Sequence, residues 1–173
     1  SISSSSTAPV VVEEAKKVLV TLAAGTTNTI TDSSRLSTEE DYSAAIYSKE
    51  DLIINGNGTL NVNAGYRNGI KSTDDCIIVS GTLNITSTED GIIGKDLCGI
   101  VAGDININAG SDGVKSTYDT DTTKGNVIIE GGNITIKASN DGIQAENILV
   151  INDGTINIKT NNGAADTTQT HID

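Results

Sequence analysis

Between Ser111 and Gly125 the chain reads SDGVKSTYDTDTTKG, which gathers Asp112, Asp119 and Asp121 into one short stretch. Carboxylates are hard oxygen donors, and an Asp-x-Asp loop beside further acids is the donor set that Ca²⁺ takes, at about six to eight oxygens. Asp90, Asp112 and Asp141 each precede a glycine, in line with Asn68 and Asn162. Carboxylates stacked at strand spacing repel one another, so positive charge must stand near them. Lys71 and Lys115 follow their markers closely, and a divalent cation would serve better. At the next corner lie Asp74, Asp75, Asp96 and Glu146, where the acidic loop emerges. The expected metal ligands are therefore Asp112, Asp119, Asp121, Asp141 and Glu146, with Asp90 and Asp96 beside them, and the expected cofactor is Ca²⁺. The pattern is neither an EF-hand loop nor a calcium β-roll repeat.

A second chemistry is hydrogen bonding to sugar hydroxyls. Asn61, Asn84, Asn106, Thr135 and Asn157 recur at one position of a repeated phrase, flanked by further Thr and Asn. A flat row of amides and hydroxyls suits an extended polysaccharide. Tyr66 supplies a ring for stacking, and Lys71 and Lys115 supply charge. Catalysis has less support: the sole histidine, His171, stands near the end of the sequence, and no Ser-His-Asp or Cys-His set can be assembled. A polysaccharide lyase would need a base, for which Lys71, Lys95, Lys115 and Arg67 are the candidates.

These side chains need a scaffold that repeats. GTLNVN begins at Gly58, GTLNIT at Gly81, GDININ at Gly103, GNITIK at Gly132 and GTINIK at Gly154, at spacings of 23, 22, 29 and 22. The Asn/Asp-Gly markers are spaced 22, 22, 29 and 21, so both series lengthen at the acidic loop, an insertion of about seven residues. Within each phrase apolar residues alternate with polar ones, the period-two pattern of a half-buried strand. Units this short bury their apolar face by stacking. No run has a sustained helical period, and a propeller blade needs roughly 40 residues or more. The predicted fold is all-β, a right-handed parallel β-helix of about six turns of roughly 22 residues.

Composition agrees. There is no Phe, Trp or Met, and the core of such a chain is narrow and aliphatic. The net charge of −12 at pH 7 argues against nucleic acid and anionic lipid. No apolar run reaches the roughly 20 residues of a membrane span. The register places Cys76 and Cys98 as inward neighbours on adjacent turns, in line with Val127 and Leu149, either as two small buried hydrophobes or as a strained disulfide. Ile53, Ile77, Ile128 and Val150 form an outward apolar strip, to be covered by the N-terminal segment or by another subunit. Residues 1–14, opening SISSSSTAP, are expected to be a flexible tether and residues 15–173 one β-helix domain.

The phrases AAIYSKEDLIINGNGTLNVN (44–63), YRNGIKSTDD (66–75), SDGVKST with its insertion ending TKGN (111–126) and NDGIQAENILVINDGTINI (140–158) resemble a carbohydrate-binding β-helix family of clostridia and related gut bacteria. The resemblance covers about residues 15 to 163. It implies a fold akin to pectate lyases, an extracellular or cell-surface location, bound calcium, and binding of polygalacturonate (pectin) or cellulose without established lyase activity. Tyr118 departs from it where a polar residue is usual, and Val114 stands for the commoner Ile. The expected function is calcium-dependent polysaccharide binding. A pectate lyase using β-elimination and a structural stalk or adhesin are the alternatives.

Overall fold

A computed structural model describes residues 1–34 and 42–160. The strands follow one another in threes. β1 (Ile2–Ser4), β2 (Val10–Val12) and β3 (Val18–Leu22) make the first coil, and β4 (Thr27–Asp32), β5 (Ala44–Ser48) and β6 (Leu52–Gly56) the second. Then come β7 (Thr59–Ala64), β8 (Asn68–Ser72) and β9 (Asp75–Ile78), followed by β10 (Thr82–Ser87), β11 (Ile92–Gly94) and β12 (Leu97–Ile100). The fifth coil is β13 (Asp104–Ala109), β14 (Val114–Lys115) and β15 (Asn126–Ile129), and the sixth β16 (Asn133–Ala138), β17 (Ile143–Gln144) and β18 (Ile148–Ile151), after which β19 (Thr155–Thr160) begins another.

Every third strand pairs, in parallel, with its equivalent one coil away. The result is a seven-stranded sheet headed by β1, here the long sheet, and two six-stranded sheets, headed by β2 and β3. This is the parallel β-helix expected from the repeat. At about 4.8 Å per strand the long sheet extends roughly 30 Å. Among the described residues no helix is long and apolar enough to cross a membrane.

The inward ladders explain the alternation. Leu60, Leu83, Ile105 and Ile134 stack in register, as do Val62, Ile85, Ile107 and Ile136, and all are buried. Each such side chain taken from water contributes about 1.5–3 kcal/mol. Cys76 lies opposite Cys98, and Cys98 opposite Val127; both cysteines are fully buried and carry free thiols. Burial pushes both thiols up, Cys98 to about 12, so they are inert hydrophobes here.

One expectation changes. The serine-rich opening, expected as a tether, holds β1 and β2, which pair with β4 and β5 through Ile2 opposite Ile30 and Val10 opposite Ile46. Apolar residues on either side of the serines match the coil register, which outweighs the local composition. The glycine of an Asn/Asp-Gly marker does not rest on left-handed backbone, since Gly91 has no positive φ. A Cβ there would stand 2.5 Å from both the Gly113 carbonyl oxygen and an Ile107 methyl, so it is the closeness of the next coil that demands glycine. Left-handed backbone occurs instead at the entry to the long sheet, as at Gly81 (φ 115°) and Gly103 (φ 117°).

On the outer face of the β3-headed sheet, Ile53, Ile77, Gly99, Ile128 and Val150 line up as foreseen, half-buried apart from Gly99, which is buried and notches the row; exposed Leu19 extends it. Asn162 and His171 lie outside the described residues.

Candidate functional site

The first corner, leading from the long sheet to the β2-headed sheet, carries the Asn/Asp-Gly markers. Here Asn68, Asp90 and Asp112 each cap the backbone of the coil that follows. Asn68 Oδ1 accepts the Asp90 N–H at 3.0 Å, Asp90 Oδ1 the Asp112 N–H at 3.0 Å, and Asp112 Oδ1 the Asp141 N–H at 2.9 Å. Asp112, fully buried, also accepts Asn140 Nδ2 at 2.6 Å and Lys115 Nζ at 2.6 Å. Lys115 stands 3.9 Å from Asp90 as well. Burial pushes the Asp112 carboxyl up, but these donors outweigh it and hold the group below the usual carboxylate range. Burial alone would lower Lys115, yet Asp112 and Asp90 keep its ammonium above its ordinary value.

The second corner, between the β2-headed and β3-headed sheets, is different. Asp51, Asp74 and Asp75 bring carboxylate oxygens within 4.8 Å of one another, the one set of three acids that converges so closely among the described residues. Burial, then Asp51, Asp74 and Asp96, push Asp75 up to about 6, and burial, Asp96 and Asp51 raise Asp74. Lys124 lies close enough to moderate both.

The acidic insertion folds back on itself. Ser116 Oγ donates to the Gly125 carbonyl at 2.7 Å, and Gly125 and Asn126 donate their N–H groups to the Asp96 carbonyl at 2.7 and 3.0 Å, so the coil resumes register with Asn126 opposite Leu97. Lys124 closes an ion pair on Asp96. Tyr118 lies beneath two ammoniums, Lys95 at 4.7 Å and Lys124 at 5.0 Å from its ring centroid. Asp121 Oδ1 accepts the Thr123 N–H at 2.9 Å and its hydroxyl at 2.7 Å.

The expected metal set is therefore divided. Asp90, Asp112 and Asp141 belong to the hydrogen-bonded first corner, and Asp96 is taken by Lys124. Asp119, Asp121 and Glu146 form no convergent trio with one another or with those acids. Sequence reasoning noticed Asp74 and Asp75 as corner acids without choosing them, and Asp51 was missed, because it precedes the first marker and its neighbours show only in register.

The outer face of the long sheet is where the polar row should be. Asn61, Asn84, Asn106, Thr135 and Asn157 stand in register on consecutive strands, continued by Thr29. Asn84 Nδ2 donates to Asn61 Oδ1 at 2.9 Å and Asn106 Nδ2 to Asn84 Oδ1 at 3.1 Å, so the amides form a ladder with one orientation. Asn133 Nδ2 extends the same device to Asp104 at 2.9 Å.

Three findings bear on what such a surface serves. A family profile described as carbohydrate-binding domain-containing protein matches residues 1–173. The chain belongs to that family. A carbohydrate-binding domain-containing protein of Acetivibrio thermocellus is 36% identical over 88 residues, which are 49% of this chain and 31% of that protein. The match thus spans under a third of the relative's length. A solved polysaccharide lyase-like protein from C. thermocellum, a gadolinium derivative, superposes with a TM-score of 0.79 at 30% identity, over 91% of this chain and 69% of that one.

In this carbohydrate-binding domain the candidate lyase bases are all engaged. Lys115 is paired with Asp112, Lys71 donates to Ser43 Oγ at 3.2 Å, Lys95 lies on Tyr118, and Arg67 stands 4.0 Å from Glu89 and 5.6 Å from the Tyr66 ring centroid. Tyr66 is half-buried beside Arg67, at the end of the long sheet.

Proposed function

We propose that this domain binds plant cell-wall polysaccharide, pectic polygalacturonate or cellulose, at a bacterial cell surface, with calcium and without cleaving the chain. The ladder of amides on the long sheet carries this reading. It belongs to a polar row six strands long, and three of its amides, Asn61, Asn84 and Asn106, are preorganised by their own hydrogen bonds, so the remaining donors and acceptors meet an extended glycan with little ordering cost.

Calcium would be held at the second corner by Asp51, Asp74 and Asp75. The donor set fits a hard dication: three carboxylate oxygens crowd together, and burial with the neighbouring acids pushes Asp74 and Asp75 towards protonation, so the set gains most from a cation that takes oxygen ligands. Bound calcium would offset like-charge repulsion between an acidic chain and an acidic glycan.

The state of the lysines supports binding over β-elimination. A lysine base must be neutral near working pH, and Lys115 is moved the opposite way by Asp112 and Asp90. Retention on insoluble cellulose and immobilised polygalacturonate, in calcium and in chelator, tests the proposal. Retention lost in chelator is expected, with no ultraviolet-absorbing unsaturated product. Product formation would instead establish a lyase, and no retention on any glycan a stalk.

A further inference from the structure

The long sheet ends, towards the first corner, in a groove of about 460 Å³. Lys137 and Lys159 line it with Asn108, Ser87 and Ser139, over a floor that includes buried Ala138. Lys137 pairs in register with Lys159 on the next strand and with Asn108 on the preceding one, so two lysine side chains leave neighbouring strands side by side, on backbones about 4.8 Å apart.

That pairing is unusual in this molecule. The chain has 23 acidic residues against 11 basic ones, and several of its other cations stand beside acids: Lys49 with Glu13, Arg67 with Glu89, Lys115 with Asp112 and Lys124 with Asp96. Among the described residues neither Lys137 nor Lys159 has a carboxylate within ion-pair reach, and both are exposed. Like charges directly opposite on neighbouring strands destabilise a sheet unless an anion joins them. Lysine offers only donors, and the Asn108 amide and the Ser139 hydroxyl add more, so the groove presents donors to an oxyanion.

We propose that this groove is a binding site for the carboxylate of a uronic-acid polysaccharide, held jointly by Lys137 and Lys159 with Asn108 and Ser139 as flanking donors. This rests on the reading that the domain binds polysaccharide, and deepens it. The groove is continuous with the amide ladder, so one glycan strand can lie along the amides and place a carboxylate between the lysines. Contact with an acidic sugar is then direct at this end of the sheet, without a bridging cation.

The test compares an α-linked oligogalacturonide with its carboxyl-reduced, neutral counterpart by titration calorimetry, using the intact chain and Lys137→Gln/Lys159→Gln. The wild-type protein should prefer the uronate oligomer. The double variant should lose that preference by on the order of tenfold or more, with a melting temperature no lower than the wild type's and unchanged affinity for the neutral oligomer. Lys16→Gln/Lys17→Gln, an equal change of net charge at exposed positions elsewhere, should leave the preference intact. A double variant that keeps the preference, or a control that loses it equally, overturns the groove assignment and leaves polysaccharide binding standing. Wild-type binding to the neutral oligomer alone does the same, whereas no binding to either probe or to the insoluble glycans overturns both.

Discussion

The two acidic corners are built from the same residue, stacked by the same coil, and reach opposite electrostatic states. At the first corner Asp90 and Asp112 each accept a backbone N–H from the next coil, and Lys115 sits between them. At the second, Asp51, Asp74 and Asp75 crowd together with only Lys124 nearby, and that ammonium is committed to Asp96. Stacked carboxylates are thus a structural device where the fold supplies donors, and an unmet demand for cations where it does not. Charge count alone would have ranked the two alike.

The comparison is most easily broken at Asp112. Asp112→Ala strands the Asp141 N–H, the Asn140 amide and the Lys115 ammonium in a buried setting, and should cost about 3–5 kcal/mol, read as a lower urea midpoint. Because the folded carboxyl is held below its unfolded value, its stabilisation is present above the unfolded pKa of 3.8 and is lost as pH falls through the folded pKa. Asp112→Asn should therefore flatten the acid limb of the stability curve. A wild-type midpoint in either variant would show that the first corner's carboxylates are dispensable.

Calcium should act at the other corner. At roughly a hundredfold excess over Kd, a ligand bound only to the folded state adds about 2.7 kcal/mol, visible as a higher melting temperature. Asp74→Asn/Asp75→Asn should erase that gain. A calcium response that survives the substitution would move the ion elsewhere.

Without metal, the same corner should be weakly self-destabilising at neutral pH. Asp75 is raised from 3.8 to about 6, so the folded state binds more protons than the unfolded one between those values, and stability falls as pH rises through that window. Since the group is partly exposed, the penalty is discounted for solvent screening to about 1 kcal/mol. Asp75→Asn in chelator should recover it at pH 7.5 and lose the advantage near pH 4. Urea midpoints across that range check the sign, and a gain that grows on acidification would refute the crowding.

Sequence periodicity foretold the scaffold because the coil's phase is written in it. Gly58, Gly81, Gly103, Gly132 and Gly154 fix the repeat, and once it is fixed Cys76 must face Cys98 and Asn61 must face Asn84. What periodicity cannot carry is which donor reaches which acceptor across coils. Lys124 closing on Asp96 depends on how the insertion folds back through Ser116 and Gly125, and that path has no repeat to follow. Asp51 joins Asp74 and Asp75 only through the stacking of its coil, with no marker of its own. The serines of the opening concealed β1 and β2 for a related reason: composition speaks for a segment alone, and Ile2 and Val10 are held by strands tens of residues away.

The smallest effect should come from the acids that first drew the eye. Asp119 is exposed at the tip of the insertion, and Asp121 is occupied by the turn through Thr123. Neither is stacked on an equivalent acid, because the insertion belongs to one coil only. Asp119→Ala/Asp121→Ala should leave the urea midpoint almost unmoved and the calcium-induced rise in melting temperature whole. If the rise disappeared, calcium would belong to the loop, the second corner would be acidic without being a cation site, and the contrast between the corners would reduce to hydrogen bonding at the first.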